Sequence, residues 1–118
     1  STVTMEQWVF FVAQLKLFPT GTQPRSRSVF TKMRPSWKIP PVDDVDYVDG
    51  LVVIPTGGEI LPGETATIWI VPATPDLWNH VAVDSQIAMC EGPHMIGDVI
   101  ILERRIGDPF SVADGQPS

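Results

Sequence analysis

Cysteine is almost absent from this sequence: Cys90 is the only one in 118 residues. A single cysteine forms no intrachain disulfide and cannot build a cysteine-based zinc site, so disulfide-stapled and zinc-finger scaffolds are excluded. An isolated cysteine in an apolar segment is typical of a small core residue. We therefore expect Cys90 to pack in the interior and not to act as a nucleophile.

Long apolar runs and excess positive charge are missing as well. No stretch reaches the ~18 apolar residues of a membrane-spanning helix. Residues 1–7 lack the basic and apolar regions of a signal peptide. The sequence therefore predicts a cytoplasmic protein without a membrane anchor. Eight Lys and Arg residues against 14 Asp and Glu residues give a net charge of −6, which does not favour a broad electrostatic grip on nucleic-acid phosphates.

Glycine and proline, by contrast, are frequent and evenly spread. Twelve prolines and nine glycines separate short apolar segments, as turn residues do between short strands. The clearest turn is Pro62-Gly63, because proline presets φ and glycine accepts the positive φ of a type II turn. β-branched and aromatic side chains follow at 65–71, which predicts a strand. The length and the 43% hydrophobic content predict one folded domain.

Residues 8–18 form the first strong pattern. Apolar side chains recur at every second position from residue 11 to residue 17, which is the period of a strand. A helix is the alternative, because Gln, Leu and Lys are good helix formers. Pro19 and Gly21 end the segment abruptly and aromatic residues crowd its start, so we favour the strand.

Five further segments have strand character, with turn residues between them. Pro35 interrupts the first, which predicts an edge strand or a bulge, and Gly50 predicts another turn or bulge. The sequence therefore predicts an all-β barrel or sandwich at 8–105, an extension at 1–7 and a flexible tail at 106–118. The segments are 29–39, 51–54, 65–71, 85–90 and 95–104, with a predicted hairpin turn at 91–94.

Several stretches, taken in order and with their spacing, carry a family resemblance. After the segment 11–17 come Met-Arg-Pro-Ser-Trp at 33–37, Asp-Gly-Leu-Val-Val-Ile-Pro at 49–55, Ile-Leu-Pro-Gly-Glu at 60–64 and Ile-Ala-Met-Cys-Glu-Gly at 87–92, followed by Ile-Gly at 96–97. Together they resemble the C-terminal β-barrel, domain 3, of translation elongation factor Tu and related factors. The resemblance implies a small six-stranded antiparallel barrel of Greek-key type.

The sequence departs from that family at positions tied to its activity. GTP binding in the family belongs to a separate domain, and no Gly-x-x-x-x-Gly-Lys-[Ser/Thr] loop occurs here, so we expect neither GTP nor another cofactor. The family's domain 3 contacts the T-stem of aminoacyl-tRNA through a Gly-Gly-Arg-His-type loop and an arginine in a hairpin. Here the loop, at 20–25, has a different sequence, Cys90 stands at the arginine position, and Pro93-His94 replaces a Gly-Arg pair. The resemblance therefore does not carry tRNA binding with it.

No catalytic or metal-binding constellation stands out. Four aspartates between residues 43 and 49 offer hard oxygen ligands, but they lack the spacing of a calcium loop, and a solvated loop is their expected role. His80 and His94 lie in different predicted loops without a third ligand. A small hydrolase at the two histidines is a third hypothesis, which we do not favour. We expect no catalytic residue, no metal site and no enzyme activity.

Contact residues for a macromolecular partner are the remaining candidates. Four tryptophans are many for so small a domain, and exposed tryptophans mark protein interfaces. We expect Trp78, with His80 and His94, to contact a protein partner or a second copy, although filling a barrel end is an equal alternative for Trp78. The main hypothesis is therefore a non-catalytic protein-binding module.

RNA or tRNA binding through the basic segment 25–38 is the alternative function. Arg25, Arg27 and Lys32 would contact phosphates, and the rings of Phe30 and Trp37 would stack on bases. The alternative is that this segment is an ordinary surface strand without a binding role, and that the aspartates which follow it balance its positive charge.

Overall fold

A computed structural model describes residues 8–19, 28–42 and 45–110, and all structural statements concern that part of the chain. Eight strands and one short 3₁₀ turn, η1, follow one another there. Within these ranges, no helix is long and apolar enough to cross a membrane. The elements are β1 (Trp8–Leu17), β2 (Val29–Phe30), β3 (Ser36–Val42), β4 (Val45–Val53), β5 (Glu59–Ile60), β6 (Thr65–Pro72), η1 (Pro75–Trp78), β7 (Gln86–Glu91) and β8 (His94–Gly107).

Six of the strands form a closed antiparallel barrel in the order β1-β6-β4-β3-β7-β8, and β8 pairs with β1 to complete the ring. Strands β3, β4 and β6 are successive neighbours, and β7 returns to lie beside β3. This arrangement is a Greek key. The predicted all-β, six-stranded Greek-key barrel is confirmed. Strands β2 and β5 form a separate two-stranded sheet.

Strand β1 shows why the ring encloses a core. The side chains of Phe11, Ala13, Leu15 and Leu17 are buried inside, whereas Gln14 and Lys16 are exposed. A period of two places every second residue on one face of the sheet, so an alternating segment lines a barrel as a strand and not as a helix. The strand predicted for 8–18 is confirmed, and the helix alternative is wrong.

The turns predicted at Pro62-Gly63 and at 91–94 are both present. Gly63 has a φ of +89°, and the amide of Glu64 donates to the carbonyl oxygen of Leu61 at 3.0 Å, as in a type II turn. Gly92, between β7 and β8, has a φ of +59° and precedes a proline, which is the pattern of a type II′ hairpin turn. Glycine is needed at both positions because side chains disfavour a positive φ.

The second predicted strand is shorter than expected. Of the residues 29–34, only Val29 and Phe30 form a strand, β2, and a turn follows at Thr31-Lys32. Pro35 lies between β2 and β3 and not within an edge strand or a bulge. The separation follows from the chain crossing to two different partners, since β2 pairs with β5 whereas β3 joins the barrel.

Gly50 does not form a turn or a bulge. It lies within β4, opposite Pro72 of β6, and the side chain of Trp37 covers it. The indole Nε1 of Trp37 donates to the carbonyl oxygen of Gly50 at 3.0 Å. The absence of a side chain at residue 50 is therefore what lets the largest core residue approach the backbone.

The barrel extends beyond the boundary predicted at residue 105. Ile106 and Gly107 belong to β8 and pair with Val9 and Trp8. Phe110 packs further along, with its ring 5.4 Å from the ring of Trp8 in an edge-to-face arrangement. The boundary predicted at residue 105 is therefore too early, because strand pairing continues to Gly107 and the ring contact of Phe110 follows. The predicted extension at 1–7 and the rest of the tail, 111–118, lie outside the described residues.

Candidate functional site

Trp37 and Trp78 were predicted to contact a partner, and both lie in the core instead. Their exposed fractions are 0% and 1%. The ring of Trp78 stacks on Phe11 at 5.6 Å and meets the ring of Trp37 edge-on at 6.3 Å. Residue Trp78 ends η1, which therefore closes one end of the barrel. The interface prediction is wrong for both residues. For Trp78 the burial supports the alternative prediction, that its side chain fills an end of the barrel.

The two histidines are exposed but do not share a site. His80 follows η1, and its Nε2 is hydrogen-bonded to the carbonyl oxygen of Pro40 on β3. Since Lys38 pairs with Ala88, Pro40 lies toward the start of β7. His94 pairs with Glu91 at the opposite end of β7. The pair therefore cannot form the catalytic dyad of the hydrolase hypothesis.

The basic segment is described only from residue 28 onward, so Arg25 and Arg27 lie outside the described residues. Lys32, Arg34 and Lys38 are exposed. Trp37 cannot stack on a base because it is fully buried, which corrects that part of the RNA hypothesis. Phe30, with an exposed fraction of 51%, is the aromatic residue of this segment that a base could reach.

Cys90 is a core residue, as the sequence predicts. It is buried, and burial raises the pKa of its thiol, although the nearby charge of Lys38 acts in the opposite direction. A neutral, buried thiol is a poor nucleophile. Within the described ranges, no group of three or more His, Cys, Asp or Glu side chains could hold a metal ion.

A thiol reagent tests this placement of Cys90. We expect Cys90 to react with a disulfide-exchange reagent only as fast as the barrel opens, and to react at the rate of a free thiol in denaturant. Stopped-flow labelling measures both rates. Fast labelling of the native chain, at a rate that increases with pH as the thiol ionises, would show an accessible cysteine and contradict the placement.

A second apolar cluster, which the sequence pattern did not predict, lies on the outside of the barrel. Strands β1, β6 and β4 are neighbours, and their registers place Val12, Trp69 and Val53 in one row across the three strands. Leu51 and Val71 form the next pair, and the ring of Phe10 lies 5.2 Å from that of Trp69. We call these six outward-facing residues the outer apolar face.

The outer apolar face is only partly covered. Phe10, Val12, Val53 and Val71 are buried. Leu51 and Trp69 pack against them, as does Phe110, and all three remain partly exposed. The sequence does contain the pattern, because residues 8–13 are apolar at consecutive positions and not only at alternate ones. A strand that is apolar on both sides has a second face to cover.

A hollow marks the end of this face. It has a volume of about 200 Å³ and is lined by Trp8, Arg34, Leu51, Val71, Pro72, Ala73 and Phe110. Pockets for drug-sized ligands have volumes of roughly 300–1,000 Å³. The hollow therefore suits a single inserted side chain. A larger depression of about 380 Å³ lies elsewhere, over β3, β7 and β8. It is an open groove whose lining includes the side chains of Lys38, Gln86 and Asp98.

Comparisons with known proteins give no family for this chain. Neither the protein-family models nor the curated protein sequences contain a match. The likeness to domain 3 of elongation factor Tu therefore depends on the motifs quoted above.

Proposed function

We propose that this chain is a non-catalytic protein-binding module, similar to an isolated domain 3 of elongation factor Tu, which binds its partner on the outer apolar face. The observation that supports the proposal is the second apolar cluster. The interior of the barrel is filled by its own core, so the fold of the ring does not require Trp69, Leu51 and Phe110 to be apolar. These three side chains are partly exposed, and a group of exposed apolar side chains favours an interaction site.

The residue types around the hollow support a protein partner. Tryptophan and arginine are the residues that most often dominate the binding energy of protein interfaces. Trp8, with an exposed fraction of 36%, and the exposed side chain of Arg34 both line the hollow. A partner would insert one aromatic or aliphatic side chain between them, and Leu51 and Phe110 would exclude water around it. At the rim, Arg34 would donate hydrogen bonds to a carboxylate of the partner.

The W8A variant tests this surface. We expect affinity-purified wild-type chain to retain a specific protein, and W8A to bind that protein roughly thirtyfold more weakly or worse, because hot-spot aromatic residues contribute at this level. Val83 is exposed to 52% and lies outside the outer apolar face, so V83S is the matched control and should bind as the wild type does. Titration calorimetry with the purified partner gives the affinities. Equal binding by W8A and the wild type would exclude this face, and no reproducible partner would contradict the proposal.

RNA binding through the segment 25–38 is the alternative. Exposed Lys32 and Arg34 near exposed Phe30 favour it, since charge and one stacking ring are the elements of sequence-tolerant binding. A gel-shift titration with labelled tRNA at low salt separates the two proposals. Retardation that F30A and K32E abolish, and that W8A leaves unchanged, would favour RNA.

A further inference from the structure

Strand β8 extends beyond the end of its pairing with β7. β7 pairs with β8 as far as Ile100. In the segment before β7, the amide of Asp84 donates to the carbonyl oxygen of Ile101, and the amide of Ile101 donates to the carbonyl oxygen of Ser85. From residue 102 to residue 107, β1 flanks β8 on one side, and no described strand lies on the other. Alternate residues of a strand direct their N–H and C=O groups to each side. Residues 102–107, the β8 edge, therefore present backbone groups for another strand.

The side chains of the β8 edge are open to solvent. Those of residues 102–106 are all exposed, and Ile106 reaches 62%. A register shift between Val12 and Ala13 leaves Leu102 as an extra residue, so a bulge begins the edge. Bulges and charged side chains are devices that hinder the pairing of an edge with another strand. A strand that pairs with this edge must therefore complement its charges.

Glu103 and Arg105 lie on the same side of the strand. The Nε of Arg105 is 3.0 Å from Oε1 of Glu103, and a second bond of 3.1 Å joins Nη2 to Oε2. Glu103 pairs with Val12 and Arg105 with Phe10, so both charges border the outer apolar face. Arg104, between them, lies on the opposite side of the sheet.

We propose that the β8 edge pairs antiparallel with the same edge of a second copy, about a two-fold axis at Arg104. In an edge-to-edge pair with such an axis, two residues that lie directly opposite each other project from the same side of the sheet. Glu103 of each copy is then opposite Arg105 of the other, which gives two reciprocal pairs of opposite charge. Centring the axis on Glu103 or on Arg105 would place like charges opposite each other on this side, so the charges select Arg104.

The second copy fits this edge because the charge pattern is self-complementary. A foreign strand would need its own arginine and carboxylate in the reverse order, whereas another copy supplies both. The pairing also places the two outer apolar faces side by side on one continuous sheet. Arg104 is opposite its own counterpart on the other side of the sheet, where exposure and salt screen the repulsion. We expect weak association, as interfaces below about 1,200 Å² give.

Charge-reversal variants test the register directly. In E103R and in R105E, both reciprocal pairs become like-charged, and we expect each variant to raise the dimer dissociation constant roughly tenfold or more. The double variant E103R/R105E restores two attractive pairs and should dimerise as the wild type does. An equimolar mixture of E103R with R105E should form a heterodimer, since one chain then supplies two cations and the other two carboxylates. Sedimentation velocity over a concentration series measures all four.

Further measurements distinguish dimerisation through the β8 edge from dimerisation through another surface. R104T removes the central like-charge contact, so we expect it to tighten the dimer. Hydrogen exchange should show concentration-dependent amide protection within 102–107. Circular dichroism and thermal melts confirm that the variants fold, and W8A should leave this dimer intact, so failure of the partner proposal and failure of this one are distinguishable.

Three results would overturn the inference. One is a wild-type chain that stays monomeric at every concentration. Another is a dimer that is insensitive to charge reversal at Glu103 and Arg105. The third is protection of 102–107 that arises only when a different protein is added, which would assign the edge to a foreign strand.

Discussion

Replacing Trp78 by alanine is expected to lower the free energy of unfolding by about 3–5 kcal/mol, the range for deleting a large aromatic residue from a core. Trp78 is 1% exposed, stacks on Phe11 and contacts Trp37, so its removal leaves a cavity where η1 closes the barrel. Denaturant unfolding followed by circular dichroism measures the loss.

W78F is the matched control for this prediction. The indole Nε1 of Trp78 is buried and has no hydrogen-bond partner in the described structure. Phenylalanine retains the stacking ring and removes that unsatisfied donor, which offsets part of the volume loss. We expect W78F to cost less than about 1.5 kcal/mol. A W78A variant as stable as the wild type would contradict the burial of Trp78 and would support the interface hypothesis for this residue.

The G50A variant should destabilise the barrel by about 3 kcal/mol, the sum of overpacking and a broken buried hydrogen bond. A Cβ on residue 50 would lie 2.8 Å from Nε1 of Trp37 and 3.0 Å from Cγ2 of Ile70. The indole must then move away, and its hydrogen bond to the carbonyl oxygen of Gly50 is lost. Unfolding free energy and the near-ultraviolet dichroism of the tryptophans report the change.

G107A is the corresponding control, because it places a methyl group on a strand glycine with room around it. A Cβ there would meet its nearest atom, Cε1 of Phe10, at 3.8 Å, an ordinary contact. We expect a stability within about 0.5 kcal/mol of the wild type. Equal stabilities of G50A and G107A would contradict the close packing of Trp37 on the backbone of β4.

The sequence allowed most of the barrel to be predicted, because the relevant effects are local. The alternation at 11–17 and the turn chemistry of Pro62-Gly63 and Gly92 depend on neighbouring residues alone. Gly50 was misinterpreted because its role depends on Trp37, thirteen positions away and on another strand. Periodicity indicates which side of a strand is buried, but it does not indicate which side chain lies opposite.

The surface was harder to predict for the same reason. The residue type alone suggested Trp78 and Trp37 as contact residues. Closure of the barrel places both side chains in the core. Trp8 and Trp69, which the sequence did not distinguish, lie at the hollow and on the outer apolar face. That face combines three strands which are not consecutive in the chain. A pattern within one segment therefore could not show it.

A photo-crosslinking amino acid at residue 73 tests the central claim most directly. Ala73 is exposed and lines the hollow. Introduced into the full chain in its native cells, the probe should form one discrete crosslinked species with a protein, and the W8A substitution should abolish that species. A probe at Val83 serves as the comparison. Crosslinks that are as abundant from Val83 as from residue 73, or that survive W8A, would show that the outer apolar face is not a binding surface.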